Sequence, residues 1–294
     1  MKEFTFKIIM AMLLFVGAAL AESVDSLVVA FSNPSQPGTV KAEMVMGSIK
    51  VRTHSGRDVL ILSKEDESIK RLVVPEVKFD SDVFLKVENK NSKNKPDPEK
   101  TKGLQRIQSS QFGINVEEHD NIVEINTPPM ALMNGDGNQL EIVVPSQTSL
   151  KLKSMTGTIN IDNVTGEIEV EAMGGGIKMN GVGGTIVAHT MGDIEATVAH
   201  VENNKPMSFS TFGGDIDVAL PSNIKATFKL KSHGDIYTDF DTSKRKLSKN
   251  VAEDKSEDHY EAKIEKVLEI PVNGGGQDIE MTNFSGSIYI RKIK

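Results

Sequence analysis

Three aspartates occupy equivalent places in a recurring glycine-rich phrase, and they are the residues to which a chemical role is most readily assigned. Asp193, Asp215 and Asp235 each stand between a turn glycine and an isoleucine. If successive phrases stack, the carboxylates come within about 5 Å of one another and could supply the oxygen ligands that Ca²⁺ prefers. The Gly-Gly-x-Gly-x-Asp nonapeptide of calcium-binding β-rolls is absent, so hydrogen bonds to the turn backbone are the favoured interpretation. We expect no bound metal ion and no cofactor.

The histidines give no pattern typical of a zinc site. No two of them have the four-residue spacing that places two imidazoles on one face of a helix. The histidines are His54, His119, His189, His200, His233 and His259. His233 occupies the turn position that a methionine or phenylalanine holds in other phrases. We predict that His233 is a partly buried packing residue.

Catalytic motifs are missing from the sequence. The chain has no cysteine or tryptophan, no Gly-x-Ser-x-Gly elbow and no phosphate-binding loop. Polysaccharide hydrolases use paired carboxylates, which in β-helices lie on long turns, whereas the turns between 155 and 196 span only a few residues. We therefore predict a protein that is not an enzyme. A hydrolase or lyase that acts on polysaccharide is the alternative.

The sequence repeats with a period of 18 residues, and this period predicts the strands and turns that carry the residues discussed above. Met155, Met173 and Met191 each precede a glycine turn, and a short alternating strand follows, beginning for example at Ile159 and Ile177. Strands this short bury their apolar side only by stacking coil on coil. The repeat predicts an all-β fold, a β-solenoid of the single-stranded β-helix type with about 18–22 residues and two main strands per coil. An antiparallel sandwich also has short strands but does not explain why alternate half-repeats resemble each other.

The same phrase returns with wider spacing at Phe212, His233 and Phe284. Glycine at each corner allows a positive φ or a close approach of two backbones. The period of two within each strand sends alternate polar side chains outward, where they would form a regular surface. These outward positions include Asn160, Glu169, Lys178, Glu195 and Asp217.

The composition and the first residues of the chain indicate which partners and which cellular location to expect. The 294 residues are 38% hydrophobic with a formal net charge of −7, which disfavours nucleic acid as a partner. Residues 1–21 combine early lysines, a 13-residue apolar run and an Ala-Leu-Ala end, the pattern of a signal peptide. The run is too short to span a bilayer, and we expect no transmembrane segment in the mature chain. Without cysteine, disulfides and lipid anchors on a thiol are excluded.

Two charged segments interrupt the pattern of the predicted solenoid domain, which comprises residues 22–294. Residues 89–103 and 241–259 lack apolar periodicity, and we predict loop insertions there. The ends of a solenoid expose strand edges and need caps. Arg291, Lys292 and Lys294 would discourage edge pairing at one end, and residues 23–31 would close the other.

Several of these stretches resemble a known family. The segment Leu140 to Pro145, the Gly-x-Ile-x-Val ladder that follows it and the closing Gly286 to Lys292 are similar to the putative-adhesin β-strand-repeat family of exported bacterial proteins. The resemblance covers nearly the whole mature chain. It implies an all-β repeat fold outside the cytoplasm and a domain of unknown function. Met155-Thr156-Gly157 departs from the Asn-Gly turns that are frequent in the family.

These observations together predict an exported, non-catalytic β-repeat protein of the bacterial envelope. It would be periplasmic, at the cell surface or extracellular, and it would serve as an adhesin or binding scaffold. Its partner would be an envelope or extracellular protein or a glycan. A structural spacer without a partner is a further possibility.

Overall fold

A computed structural model describes residues 25–65, 114–127, 138–201, 205–256 and 259–293. These residues form twenty β-strands and no α-helix. Nothing in this part of the chain has the helical length and hydrophobicity that a membrane span requires. The predicted signal peptide and the insertion predicted at 89–103 lie outside the described residues.

The strands are numbered in chain order. The first six are β1 (Asp25–Ala30), β2 (Thr39–His54), β3 (Asp58–Glu65), β4 (Asn115–His119), β5 (Ile122–Asn126) and β6 (Asn138–Pro145). The next eight are β7 (Ser149–Thr156), β8 (Ile159–Asp162), β9 (Ile168–Ala172), β10 (Ile177–Gly183), β11 (Ile186–Thr190), β12 (Ile194–His200), β13 (Met207–Thr211) and β14 (Ile216–Leu220). The last six are β15 (Ala226–Ser232), β16 (Ile236–Thr238), β17 (Lys246–Ser256), β18 (His259–Val272), β19 (Gln277–Asn283) and β20 (Ile288–Lys292).

Two sheets face each other across the core and are joined through the long strand β2. The first sheet has the order β1-β3-β6-β2-β8-β10-β12-β14-β20-β16. The second has the order β4-β5-β2-β7-β9-β11-β13-β19-β15-β18-β17. Most neighbours are parallel, and each coil contributes one strand to each sheet. The β-solenoid prediction is confirmed.

Like side chains stack on like in the interior. Ile159 lies beside Ile177 in parallel register, and Ile177 lies beside Ile194. Equivalent residues in adjacent coils are 17 to 22 residues apart in the chain between β7 and β14. The fully buried column of the first sheet comprises Ile49, Ile159, Ile177, Ile194, Ile216 and Ile288. The parallel register shows that the antiparallel sandwich is wrong.

Glycine is required at the corners chiefly because adjacent coils approach closely there. A Cβ atom on Gly175 would overlap the carbonyl group of Gly157 in the neighbouring coil, and one on Gly286 would overlap the carbonyl group of Gly214. Any side chain would therefore push two hydrogen-bonded coils apart. The glycine column thus permits the corner to stack at the spacing of a β-sheet.

The order of the coils in space differs from their order in the chain. Strand β2 lies between the β5–β6 coil and the β7–β8 coil, although it precedes both in sequence. The coil β19–β20 lies between β13–β14 and β15–β16, although it is the last in the chain. The prediction that Arg291 and Lys292 protect an open end is therefore wrong. Strand β20 has a neighbour on each side, and Arg291 Nε lies 2.8 Å from Asp217 Oδ1.

Antiparallel strands close both ends of the stack. At one end β3 and β1 extend the first sheet, and Phe31 directly after β1 is buried. At the other end β18 and β17 extend the second sheet as a hairpin. The loop predicted over 241–259 is therefore wrong for residues 246–256, which form β17. Opposite charges can pair across antiparallel strands, as Lys246 and Glu269 do at 2.8 Å, so a charged segment need not be a loop.

Candidate functional site

One corner of the solenoid, where each strand of the second sheet turns into the first, carries large apolar side chains on the outside. The alternation along β7 explains why. Leu150, Leu152 and Ser154 are buried, so the period of two directs Met155 away from the core. The same alternation operates in the other coils that turn at this corner.

We call this row of side chains the corner ridge. Its five apolar members are each between 45% and 57% exposed. The sixth member, His233, is also exposed. In spatial order the ridge consists of Met155, Met173, Met191, Phe212, Phe284 and His233. Five steps of about 4.8 Å give the ridge a length of about 24 Å.

The ridge is continuous because the coils are bonded directly beneath it. The amide of Met173 donates to the carbonyl oxygen of Ser154 at 2.9 Å, and that of Phe284 donates to Thr211 at 3.3 Å. The rings of Phe212 and Phe284 stack with centroids 4.8 Å apart and planes 7° apart. His233 follows, with its ring centroid 5.0 Å from that of Phe284. The prediction of a partly buried His233 is wrong, since the residue is exposed on the outside of the corner, with its ring tilted 57° to that of Phe284.

A column of buried polar side chains lies immediately inside the ridge. Thr211 Oγ1 donates to the carbonyl oxygen of Gly192 at 2.6 Å and accepts from the amide of Gly214 at 3.3 Å. Asn283 Nδ2 donates to the carbonyl oxygen of Gly214 at 2.7 Å. Ser154 and Thr190 make the equivalent bonds, to Gly47 and Gly175 respectively. These bonds satisfy glycine carbonyls that the close backbone approach would otherwise bury, and they fix the geometry of the corner.

The three aspartates singled out from the sequence border the ridge on the side of the first sheet. Asp193 Oδ1 accepts the amide of Asp215 at 2.8 Å, and Asp215 Oδ1 accepts the amide of Ser287 at 2.7 Å. Asp235 Oδ2 accepts the hydroxyl of Tyr237 at 3.1 Å. The expectation that all three stand one coil apart is wrong, because β20 places Ser287 between Asp215 and Asp235.

Metal-ligating side chains are not gathered elsewhere in the residues that the structure describes. No group of three or more histidine, aspartate or glutamate side chains there is placed to share an ion. Two of the histidines contact a nearby aspartate: His54 Nε2 is 2.8 Å from the carbonyl oxygen of Asp58, and His119 Nδ1 is 3.1 Å from Asp120 Oδ2.

The outward polar positions form ion pairs between coils. Lys151 pairs with Glu169 at 3.0 Å and Lys178 with Glu195 at 2.6 Å. The hydrogen bond and the charge of Glu195 raise the pKa of Lys178, and Asp217 raises the pKa of Arg291 in the same way. These exposed pairs contribute little stability, but they leave the flat faces locally neutral. The faces are therefore less distinctive than the corner.

An open depression of about 670 Å³ lies at the opposite corner, where strands of the first sheet lead into the second. Its described lining residues are Thr165, Ala199, His200, Val201, Pro221, Asn223, Ile224 and Lys225. This set includes a histidine and a lysine but no carboxylate. A glycosidase needs a pair of carboxyl groups, so this lining does not provide that chemistry.

The ridge and the polar column were not predicted from the sequence, although a signal was present. Counting by two from Leu150 reaches Ser154 and makes Met155 an outward residue. The same count from Met207 makes Thr211 inward and Phe212 outward. The glycine beside each methionine or phenylalanine indicates a turn, whereas the alternation along the preceding strand is what directs the side chain outward.

Comparisons with known proteins give a family match and similarities to solved structures. Residues 146–267 match the family described as Toastrack DUF4097. Among solved structures, a putative cell adhesion protein from Clostridium sporogenes has a TM-score of 0.43 and 13% identity, over 92% of this chain and 100% of that one. A putative adhesin from Bacteroides fragilis has a TM-score of 0.39 and 13% identity, over 93% and 98% of the two chains. No curated protein matches the chain.

The family match covers the consecutive coils from β7 onward, the first cap strand β17 and part of β18. The family is designated a domain of unknown function, as the resemblance implied. Residues 146–267 are thus similar to the Toastrack DUF4097 family, and the resemblance to a β-strand-repeat domain of unknown function is confirmed.

Proposed function

We propose that this protein is an exported, non-catalytic β-solenoid of the bacterial envelope that binds another macromolecule, a protein or a glycan, along its corner ridge. The observation that carries the proposal is the alignment of five half-exposed methionine and phenylalanine side chains in successive coils. Single exposed apolar residues are common on protein surfaces, but contiguous apolar patches mark interaction sites.

Packing of the solenoid does not by itself explain the ridge. The inward positions Ser154, Thr190 and Thr211 already complete the corner through their hydrogen bonds. Outward positions on the flat faces are occupied mainly by charged and polar residues such as Lys178 and Glu195. A ridge of apolar side chains at one corner therefore supports a role in contact with a partner.

The envelope location rests on the signal-peptide pattern in residues 1–21. A cysteine-free chain held by stacked coils suits an oxidising compartment, since its stability does not depend on the redox state. The binding role and the location are thus supported by separate parts of the chain. A hydrolase or lyase on polysaccharide gains no support from the described residues.

A capture experiment with matched variants tests the proposal. Immobilised wild-type protein, a double variant Met191→Ser/Phe212→Ser and a control Val187→Ser are each exposed to envelope extract and to a glycan panel. Val187 is also about half-exposed, at 46%, but lies on the flat second sheet. We expect a partner that the wild type and the control retain and that the ridge variant loses.

Two results would contradict the proposal. Equal retention of every ligand by the wild type and the ridge variant would remove the ridge from the binding surface. A new product released from any polysaccharide in the panel would favour the enzyme alternative instead. Thermal unfolding of each variant, measured beforehand, ensures that a lost partner does not reflect a lost fold.

A further inference from the structure

The border of the ridge on the side of the first sheet is acidic. Asp193, Asp215 and Asp235 follow Met191, Phe212 and His233 by two or three residues in the same coils. The Asp193–Asp215–Ser287 hydrogen-bond chain shows that the row runs along the stack, parallel to the ridge. The carboxylates therefore line the part of the ridge that contains both phenylalanines.

This acidic border has no basic partner within the described residues. The carboxylates of Asp193 and Asp215 accept backbone amides, and that of Asp235 accepts a tyrosine hydroxyl. Acidic residues on the flat faces behave differently, since Glu169 and Glu195 each pair with a lysine of the adjacent coil. Among the described residues, the negative charge beside the ridge is therefore uncompensated, and a binding partner could neutralise it.

The other border of the ridge, on the second sheet, carries no such row. The outward residues in the coils of Met191, Phe212 and Phe284 are His189, Ser210 and Thr282. The surface is thus asymmetric, with an apolar line that has carboxylates along one side. A complementary partner must present an apolar stripe with positive charge beside it.

The phenylalanine rings are unsuited to stacking against a sugar. Phe212 and Phe284 cover one face of each other at 4.8 Å, and His233 packs against Phe284 from the next coil. A sugar ring needs an open aromatic face, and Phe284 has an aromatic neighbour on each side along the stack. Ring edges and methionine side chains instead suit aliphatic groups of a protein partner.

We propose that the ridge binds an amphipathic helix of a partner protein, with an apolar stripe flanked by lysine or arginine; this deepens the proposed function and rests on it. A helix places basic side chains beside its apolar stripe, where the aspartates lie, whereas a strand sends them to its opposite face. About 16 helical residues span the 24 Å ridge. Anchors at i, i+3, i+4 and i+7 would follow the line of methionines and phenylalanines.

The test uses a fluorescent helical peptide of about 16 residues with a leucine stripe flanked by lysines, and a second peptide in which glutamates replace the lysines. Fluorescence anisotropy gives the affinity for the full mature chain. We expect the lysine peptide to bind and the Met191→Ser/Phe212→Ser variant to weaken binding by at least about tenfold. Val187→Ser should leave the affinity unchanged.

The charge contribution is tested separately. Asp193→Asn/Asp215→Asn keeps the oxygens that accept backbone amides but removes two charges, so we expect about three- to tenfold weaker binding and a smaller salt dependence. The matched control is Asp162→Asn, because Asp162 accepts the side-chain amide of Asn180 at 2.9 Å at the far end of its strand. This control should behave as the wild type does.

Three results would overturn the inference: no binding of the lysine peptide, equal or tighter binding of the glutamate peptide, or unchanged affinity in both ridge and aspartate variants. The capture experiment keeps the two proposals distinct. If the lysine peptide fails while an envelope ligand still depends on the ridge, the helix inference falls and the scaffold function stands. If neither the binding of the lysine peptide nor the capture of an envelope ligand depends on the ridge residues, both proposals fall.

Discussion

The middle of the solenoid and its ends use the same coil but assemble it differently. From β7 to β14 each coil stacks on the one that precedes it in the chain, so spatial and sequence neighbours coincide. Towards the ends, β2 and the coil β19–β20 are inserted between coils that are distant in sequence. The periodicity of a sequence therefore defines a coil without defining its neighbours.

Insertion of the last coil has a consequence for the proposed binding surface. Phe284 reaches the ridge only because β19–β20 lies between the coils of Phe212 and His233. Without the insertion the ridge would lack its stacked aromatic pair. The last coil of the chain thus completes a surface that the middle coils begin.

The largest effect is expected from a charge in the inserted coil. Ile288→Asp buries an unpaired carboxylate at a fully buried position and should cost more than about 3 kcal/mol of unfolding free energy. Because β20 bonds to both β14 and β16, hydrogen exchange should accelerate in both strands. Tyr289→Asp, with its side chain outward, is the control. Unchanged protection of β16 would contradict the observed coil order.

Phe209 and Phe212 lie in the same coil, and substituting each of them distinguishes a core position from a ridge position. Phe209 is fully buried, and Phe209→Ala should lower the unfolding free energy by about 3–5 kcal/mol in urea denaturation. Phe212 is exposed and stacks only at the surface, so Phe212→Ala should cost about 1 kcal/mol. Similar losses for the two variants would mean that the ridge serves packing rather than recognition.

Substitution of two buried threonines, Thr211 and Thr148, compares the two corners of the solenoid. Thr211→Val leaves the carbonyl of Gly192 without its side-chain donor and should cost about 1–3 kcal/mol. Thr148 is also buried, but its hydroxyl has no partner among the described residues, so Thr148→Val should be neutral or stabilising by about 1 kcal/mol. Urea denaturation of both variants measures their unfolding free energies. A larger loss for Thr148→Val than for Thr211→Val would contradict this comparison.

The smallest effect concerns the cap near β4. Hydrogen bonds from Ser32 and Asn121 lower the pKa of Glu118 in the folded chain below its ordinary value of 4.5. The ionised carboxyl therefore stabilises the fold above about pH 4.5, and this contribution is lost as the pH falls through the lowered value. Melting temperatures of Glu118→Gln should lie slightly below those of the wild type at neutral pH, and the difference should vanish as the pH falls through the lowered pKa. A difference in melting temperature that stays constant as the pH falls would contradict this assignment.

The sequence was sufficient to predict the coil itself. Ile159 and Ile177 occupy equivalent steps, and their parallel pairing follows from an interior that accepts only apolar side chains at a fixed period. The glycine corners were also predicted, because a close approach of two backbones leaves no room for a side chain, as at Gly175. These features are local, and a single strand with its turn contains the information for them.

The rest could not be predicted because it depends on contacts between distant segments. Every coil offers the same backbone hydrogen bonds, so nothing in the phrase at Phe284 states that its neighbours are Phe212 and His233. The separation of Asp215 from Asp235 has the same cause. Strand β17 was missed because its sequence lacks apolar periodicity, and because its pairing with β18, where Lys246 meets Glu269, depends on a separate segment of the chain.

Engineered cysteine pairs test the coil order, on which the continuity of the ridge depends, because the native chain has no cysteine. Asp217 faces Tyr289, and Tyr289 faces Tyr237, in register on adjacent strands. Oxidation should form a disulfide in Asp217→Cys/Tyr289→Cys and in Tyr289→Cys/Tyr237→Cys, but not in Asp217→Cys/Tyr237→Cys, which are two strands apart at about 9.6 Å. Efficient cross-linking of the third pair, with none in the first two, would contradict the inserted coil and break the ridge.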